Sequence, residues 1–352
     1  MMHSLPRLAA ACLCLAVPVA AQRLIAIDSS RALYELDMTT GQRTQIGTVS
    51  TNASTTAGLA YDAISGNVYL TSTGNDSLYT LDLTTGNATL VGAYGNSALV
   101  MHGLEWDAST STLYGVSSHD NGLYTIDTTT GLATLVGTSG LTSFSNLVHD
   151  SLNNVMYSTN SGTDSFYVMD RTTGTTTLVG PLLGPTNPNG LAYNSDTDTI
   201  YLVCNNTDTL YTINRQTGQT TVVGAYGSSN FLGLVYLPAD GIARVPHGCG
   251  TATIQSVGNT AAGGTVTTTL GNTTGLPFLG LGLAVFPNPF CTCTLGHEWS
   301  IVLFGTTNVL TLPLSPAYTG LQIGIQGADL LGVGGCPAPA VALTDTMVVT
   351  IR

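Results

Sequence analysis

The 352-residue chain has no lysine and little charge of any sign. Eight arginines stand against seventeen aspartates and three glutamates, a net charge of −12, and the arginines do not cluster. Phosphate backbones and anionic headgroups are held by neutralising lysine and arginine, so the composition argues against nucleic acid as a partner. The missing lysine also removes Schiff-base chemistry and lysine general bases. No segment reaches the roughly 20 uninterrupted apolar residues of a bilayer-spanning helix, and membrane insertion is not expected. With so few charges, the polar surface must be built from Thr, Ser, Asn and Gly. That composition borders on disorder, but 43% hydrophobic content and a strict repeat outweigh it.

Residues 1–21 read as a signal peptide. His3 and Arg7 precede an apolar stretch from Leu8 to Ala16, and Val19-Ala20-Ala21 offers a small-residue cleavage site before Gln22. Cys12 and Cys14 lie inside that stretch without a lipoprotein box. The expected location is secreted or periplasmic, with cell-surface association as the lesser alternative.

What is abundant is one phrase in five copies: LYELDMTTGQRTQIG from Leu33, LYTLDLTTGNATLVG from Leu78, LYTIDTTTGLATLVG from Leu123, FYVMDRTTGTTTLVG from Phe166 and LYTINRQTGQTTVVG from Leu210. Tyr34, Tyr79, Tyr124, Tyr167 and Tyr211 are spaced by 45, 45, 43 and 44 residues, a period of stacked supersecondary units. Each period holds four short runs of β-formers, such as Gly58–Tyr61, Val68–Thr71, Leu78–Leu81 and Ala88–Val91. The Asp-x-Thr-Thr-Gly series beginning at Asp37, Asp82, Asp127 and Asp170, with Asn214 as its fifth member, reads as hairpin turns. Asp76, Asn121, Asp164 and Asp208 read the same way.

The repeat region enters at a second strand, Leu24–Ile27, and leaves on a lone first strand, Gly233–Tyr236. Pairing the two completes one unit from both ends and removes the free sheet edges of an open array. The expected fold is all-β: a five-bladed β-propeller over residues 22–240, a linker at 241–248 and a small β-sandwich over 249–352. Residues 23–240 resemble the secreted bacterial propeller repeats of the YVTN and NHL type. The pattern GLAYD…LYxIDxxTGxxTxVG is the part that carries the likeness, which implies the architecture and no activity. WD dipeptides, kelch double glycines and the tryptophan docking motifs of quinone-binding propellers are missing; the chain has only Trp106 and Trp299.

Past the repeat, short apolar runs separated by Gly and Pro turns predict the sandwich. HGCG, LPLSPAYTGLQIGIQGAD and ALTDTMVVTIR resemble a C-terminal β domain found at the ends of exported proteins of environmental bacteria. Cys249, Cys291, Cys293 and Cys336 in this unit predict two disulfides of unread connectivity. Cys291 and Cys293 are too close in sequence to pair with each other without strain, so each is expected to reach Cys249 or Cys336. A Cys-x-Cys metal site with His247 or His297 is the competing idea; no metal or other cofactor is assigned. Cys204 stands alone and reads as a buried thiol.

Departures from the repeat are where function would show. The innermost-strand series Ala60, Val148, Ala192 and Val235 has Glu105 as its fifth member, and His102 replaces Ala57, Ser145, Asn189 and Leu232. An axial carboxylate must be solvated, paired or bound to a ligand. Propeller topology places His102, His119 and Asp120 on one rim with Tyr94, Tyr226, Phe231 and Asn189, and such a mix suits sugars or peptides. The ligand-binding candidates are therefore His102, Glu105, Tyr94, His119, Asn189 and Tyr226, while His149 fills an aromatic slot and is expected to be packed. Glycoside hydrolysis needs two carboxylates, for which Glu105 with Asp28 offers itself; the enzyme alternative would use Glu105 with Asp28 or with the His102 imidazole. No residue is assigned a catalytic role. The sequence reading leans away from an enzyme, towards a non-catalytic binding or scaffold protein presenting its funnel to an extracellular glycan or protein; the alternative is a secreted carbohydrate-active enzyme.

Overall fold

Alternating β-formers bounded by Asp and Gly turns leave the backbone one economical way to satisfy its hydrogen bonds, the antiparallel sheet. The computed structural model describes residues 22–351, apart from 64, 196, 239–240, 247, 259, 261–262, 284, 292, 314, 319–320, 333–334 and 338–339. The signal segment lies outside the described residues. The only helical elements among those described are two short 3-10 turns, Thr51–Ala53 and Pro316–Tyr318, so no helix is long and apolar enough to cross a membrane.

Residues 23–237 form a propeller-like set of four-stranded antiparallel sheets. Four of them are continuous in sequence, running from Thr56–Asp62 to Ala88–Ala93, Met101–Asp107 to Ala133–Thr138, Phe144–Asp150 to Thr176–Pro181, and Pro188–Asn194 to Thr220–Ala225. The remaining sheet joins the two ends of the region: Phe231–Leu237 pairs with Arg23–Asp28, followed by Ala32–Leu36 and Arg43–Thr48. Leu24 opposes Tyr236 and Ile25 opposes Val235 in that junction. The first strands of neighbouring sheets pack in a closed cycle, from Phe231–Leu237 through the four others and back.

The repeated phrase is explained by two contacts. Asp37 Oδ1 accepts from the backbone N–H groups of Thr39 and Thr40 and from the Thr39 hydroxyl, and Asp127 and Asp170 repeat all three bonds. Asp82 and Asn214 make the backbone pair. The Thr39 hydroxyl and these amides hold the Asp37 carboxyl down at about 2. Glycine ends each turn with positive φ, 73° at Gly41 and 74° at Gly86. The turn then seats on the fourth strand of the preceding sheet, Thr130 against Gly92, Thr173 against Gly137, Thr217 against Gly180, and Thr40 against Gly224, where a β-carbon would strike the Thr carbonyl. TTG and VG in the repeat are thus the two halves of one inter-sheet joint.

Apolar faces meet between sheets. Ile25, Ile27 and Val235 pack with Leu59, Leu70 and Tyr79, and Tyr69 and Leu78 pack with Leu104, Leu113 and Tyr124.

Within the segment 241–248, expected as a linker, residues 242–245 form a strand instead. Ile242–Val245 is the edge strand of the next sheet, with Ile242 buried in that sheet's core and Val245 buried on its opposite face beside Val348. The order continues through Ala340–Thr350, Gln322–Leu330, Leu276–Gly282 and Ile301–Phe304. A three-stranded sheet, Thr253–Gly258, Thr265–Gly271 and Thr307–Thr311, lies across one core from it, with Ile254, Val266 and Leu270 meeting Leu279, Ile325 and Met347. Val285–Phe290 and Cys293–His297 form a hairpin beside them. Cys249 and Cys293 are joined in a disulfide, their Cα atoms 5.2 Å apart, as expected of pairing outside the Cys-x-Cys unit. The Cys336 side chain and His247 lie outside the described residues.

Tyr79 is 4% exposed, and its hydroxyl donates to the Asn52 carbonyl at 2.9 Å. Tyr79→Ala is expected to lower unfolding stability by about 2–5 kcal/mol, checked by denaturant unfolding; a loss well below that range would mean the sheets are not packed on one another.

Candidate functional site

Two ends of the first strands have to be distinguished, since the sequence-predicted residues divide between them. At the entry end, His102 is half-buried, and burial lowers its imidazole pKa, so it is neutral at pH 7. Asn189 is half-buried with a buried Oδ1 that has no partner among the described residues. His119 is exposed, and Asp120 beside it accepts the Tyr124 hydroxyl proton in a hydrogen bond.

Tyr94 and Tyr226 are not on this rim. Tyr94 is 1% exposed within the core shared with Met101 and Leu104, and Tyr226 is 3% exposed, its ring tilted against Phe231 with centroids 4.7 Å apart and its hydroxyl donating to the Cys204 carbonyl at 2.8 Å. Phe231 is itself fully buried. Entry-loop rings were expected to face a funnel; they point instead into the gaps between sheets, where an aromatic ring buries the most area. Cys204 is a buried thiol, as expected, donating to the Thr186 carbonyl at 3.0 Å.

A residue overlooked in sequence governs this end. Gly58, Gly103, Gly190 and Gly233 occupy one position in four first strands, where the next strand's backbone approaches so closely that a β-carbon at Gly190 would lie 2.9 Å from the Leu234 amide nitrogen. The fifth member is Asn146. It is 3% exposed; its Oδ1 accepts from the Leu147 amide at 2.9 Å, and its Nδ2 donates to the Leu232 carbonyl at 3.2 Å, on a strand that is not in a neighbouring sheet. The amide reaches across the axis. The glycine-to-asparagine departure at this position is its signal in the sequence.

Further down the strands, Glu105 borders a cavity of about 100 Å³ with Tyr61, Trp106, His149, Tyr193 and Tyr236. Pro238 and Arg244 border it from the side of the following unit. None of His102, His119, Asn189 or Asp28 lines it. Asp28 is occupied by its own turn, with Oδ1 accepting from Ser30 N, Ser30 Oγ and Ala32 N. The structure therefore does not bring together Glu105 with Asp28 or His102. Desolvation pushes the Glu105 carboxyl well above its ordinary range, the Asp107 charge adds to this, and the His149 backbone N–H opposes it.

Charge also crosses between sheets at this end. Asp107 is fully buried, and burial alone would raise its carboxyl, but His149, the Ser109 hydroxyl and Arg171 outweigh burial and lower it. Arg171 lies within the Asp170 turn and reaches back to Asp107 of the preceding sheet. Arg215 repeats the move one sheet later, reaching Asp150 at 2.5 Å and Asp198 at 2.6 Å. In the sheet that closes the ring the same two positions are Met38 and Asn194, and Asn194 Nδ2 lies 3.5 Å from Met38 Sδ. Arginine meets aspartate and methionine meets asparagine, an exchange legible only once the partners are known. His149 is 3% exposed and packed, as expected, with Nδ1 3.6 Å from Asp107 Oδ1 and Nε2 3.1 Å from Asn154 Oδ1.

No family model matches the chain, and no curated protein matches it. Among solved structures it is similar to a chain of a nidogen/laminin complex, with 12% identity and a TM-score of 0.46 over 61% of this chain and 98% of that one. It is similar to virginiamycin B lyase from Staphylococcus aureus, with 15% identity and a TM-score of 0.40 over 58% and 67%. A Bacteroides thetaiotaomicron protein of unknown function gives 14% and 0.44 over 62% and 72%. Likenesses at TM-scores below 0.5 say nothing of activity or ligand. The protein's own sheets and repeats define its class, a propeller-like all-β repeat protein. No group of three or more His, Cys, Asp or Glu among the described residues is arranged to hold a metal ion.

Two outcomes follow. A protonated Glu105 suits its site and an ionised one does not, so the stability it contributes is present below the ordinary carboxylate pKa of 4.5 and lost as pH rises through its raised value. Glu105→Gln should match the native protein at about pH 3.5 and unfold at a higher temperature than it at about pH 8; equal midpoints at both would show the carboxyl is solvated. Arg171→Met leaves the buried Asp107 charge without its guanidinium and should cost about 3–5 kcal/mol. Adding Asp107→Asn, which copies the Met38 and Asn194 pair, should recover at least half, as measured in a double-mutant cycle.

Proposed function

We propose that this is an exported, non-catalytic binding or scaffold protein. Its repeat region is a five-bladed β-propeller closed by a blade built from both ends, and its C-terminal unit is a β-sandwich that serves as a spacer or attachment module. The propeller's entry-loop face, with His102, His119 and Asn189, meets an extracellular glycan or protein.

The observation that carries this reading is which face the second unit occupies. Val245 and Val348 pack against Ala63 and Ala108, which follow the first strands Thr56–Asp62 and Met101–Asp107. Pro238 and Arg244 border the Glu105 cavity at the same end. The covered face is therefore the one bearing the first-to-second loops, and the entry-loop face stays open. On that open face a partner would meet neutral imidazole, carboxamide and carboxylate groups with almost no positive charge. Such groups recognise hydroxyls and peptide amides through hydrogen bonds and give little attraction to anions.

Export fits the sequence of residues 1–21 and the Cys249–Cys293 disulfide, a bond that persists in oxidising compartments. The test is a pull-down of the mature chain with insoluble glycans and with immobilised envelope and matrix proteins, beside the His102→Ala/Asn189→Ala variant. Binding by the native chain that the variant loses is the expected result. Retention of nothing by the native chain, or equal retention of both forms, would overturn the assignment of this face.

A further inference from the structure

The two sheets that share the C-terminal core have edges on two sides. On one side both edges lie against the propeller. Val245 of the edge strand Ile242–Val245 packs with Ala63 and Ala108, and the edge strand Thr253–Gly258 borders a concavity together with Gln22, Ser195 and Pro238. On the other side Ile301–Phe304 ends the larger sheet and Thr307–Thr311 ends the three-stranded one, and no described strand pairs with the outer side of either.

Hydrogen-bond alternation fixes which backbone groups are left over there. Gly305 N donates to the Pro277 carbonyl at 3.1 Å, one step beyond the Phe304 and Phe278 pair. Leu303 and Ile301 therefore turn their N–H and C=O groups towards Leu276–Gly282, and Val302 and Phe304 turn theirs outwards. In the other sheet Leu312 N donates to the Gly264 carbonyl at 2.8 Å, which leaves Val309 and Thr311 outward. The side chains along this side are apolar and exposed: Ile301 56%, Val302 44%, Phe304 82% and Val309 62%. Natural sheets protect such an edge with charge, proline or a bulge. Here no charged residue lies between Glu298 and Asp329, neither strand contains proline, and both pair in unbroken register.

Charge distribution selects the partner. Residues 22–240 hold seventeen acidic residues against five arginines, whereas residues 241–352 hold three against two. Two copies of the chain repel through their propellers and escape that repulsion when they meet through the C-terminal unit. The edge is also its own complement. Antiparallel pairing of Ile301–Phe304 with the same strand of a second copy, centred on Leu303, sets Val302 of each opposite Phe304 of the other, so the outward donors of one copy meet the outward acceptors of its partner. Such pairs of β-branched and aromatic side chains are favourable across antiparallel strands.

We propose that the protein self-associates as a twofold dimer through this edge, the two Ile301–Phe304 strands joining the larger sheets into one. The twofold axis of an antiparallel pair stands perpendicular to the sheet, so the two Thr307–Thr311 strands, with Val309, come to the same side of the joint. A strand of four residues falls short of the roughly 800 Å² per partner of a standard stable interface, and the dimer dissociates on dilution.

Sedimentation equilibrium of the full mature chain from about 1 to 100 µM should show the mass rising from that of one chain to that of two. Hydrogen exchange at the Val302 and Phe304 amides should slow as the dimer forms. Val302→Pro removes an outward donor without costing a bond within the copy, and Phe304→Lys places a charge on the edge. Each should weaken association at least about tenfold. Leu178→Lys, at a 59% exposed position of the propeller, should leave the dissociation constant within about twofold. Where Val302→Pro does not fold, Phe304→Lys carries the comparison, because that side chain is so largely exposed. A single-chain mass at every concentration would overturn the proposal, including the case in which the edge captures an extended segment of another protein instead. So would a dimer that both edge variants leave intact, one that Leu178→Lys weakens as much as they do, or one whose Val302 and Phe304 amides exchange as fast as in the single chain. These outcomes are independent of the glycan and protein pull-down, which reads the entry-loop face of the propeller.

Discussion

Everything in the repeat region depends on one strand pairing, Arg23–Asp28 with Phe231–Leu237. These segments are about two hundred residues apart in sequence and adjacent in space. Open, the array would expose an unpaired first strand at one end and an unpaired second strand at the other, each a template for edge pairing with another chain. Closed, each first strand has a neighbour on both sides, and the turn at Thr40 finds its seat on Gly224 as those at Thr130, Thr173 and Thr217 find theirs. The closing interaction is non-local, so its loop entropy is committed before the contacts that offset it can form.

Closure also explains why the axis is narrow. Glycines in four first strands let neighbouring backbones approach, and the fifth position spends the same space on an asparagine amide that reaches across to Leu232. The ends of the strands then serve different purposes. The entry end keeps half-buried polar groups facing outwards, whereas the other end is consumed by inter-sheet ion pairs and by the seat of the C-terminal unit. Asp107 and Asp150 are tolerated without exposure because Arg171 and Arg215 arrive from the next sheet; buried carboxylates lacking that partner would be strongly unfavourable.

Much of this was legible in the sequence because repetition averages away local noise. The four strands per period, the Asp-Thr-Thr-Gly turns, the pairing of the two ends of the region and the pairing of Cys293 outside its own Cys-x-Cys unit were read from residue order alone. What failed did so for identifiable reasons. Tyr94 and Tyr226 lie in entry loops, where exposure is the usual expectation, but their rings fold back between sheets. Ile242–Val245 follows a Pro and Gly cluster that reads as a linker, yet it pairs with Ala340–Thr350, a strand about a hundred residues away. Asn146 broke a glycine series that no strand-level reading was tracking.

The sequence by itself determined the all-β class, the repeat unit and the chemistry of its turns, since these rest on contacts within a few residues and recur five times. It also determined what the surface lacks, because composition is independent of folding. Only the tertiary structure decided which polar residues share a space. Glu105 and His102 are three residues apart, and only one of them borders the axial cavity. Ile301–Phe304 and Thr307–Thr311 adjoin in sequence and become the open edges of two different sheets. Those juxtapositions depend on register and sheet packing, quantities set by the whole chain at once and carried by no local run of residues.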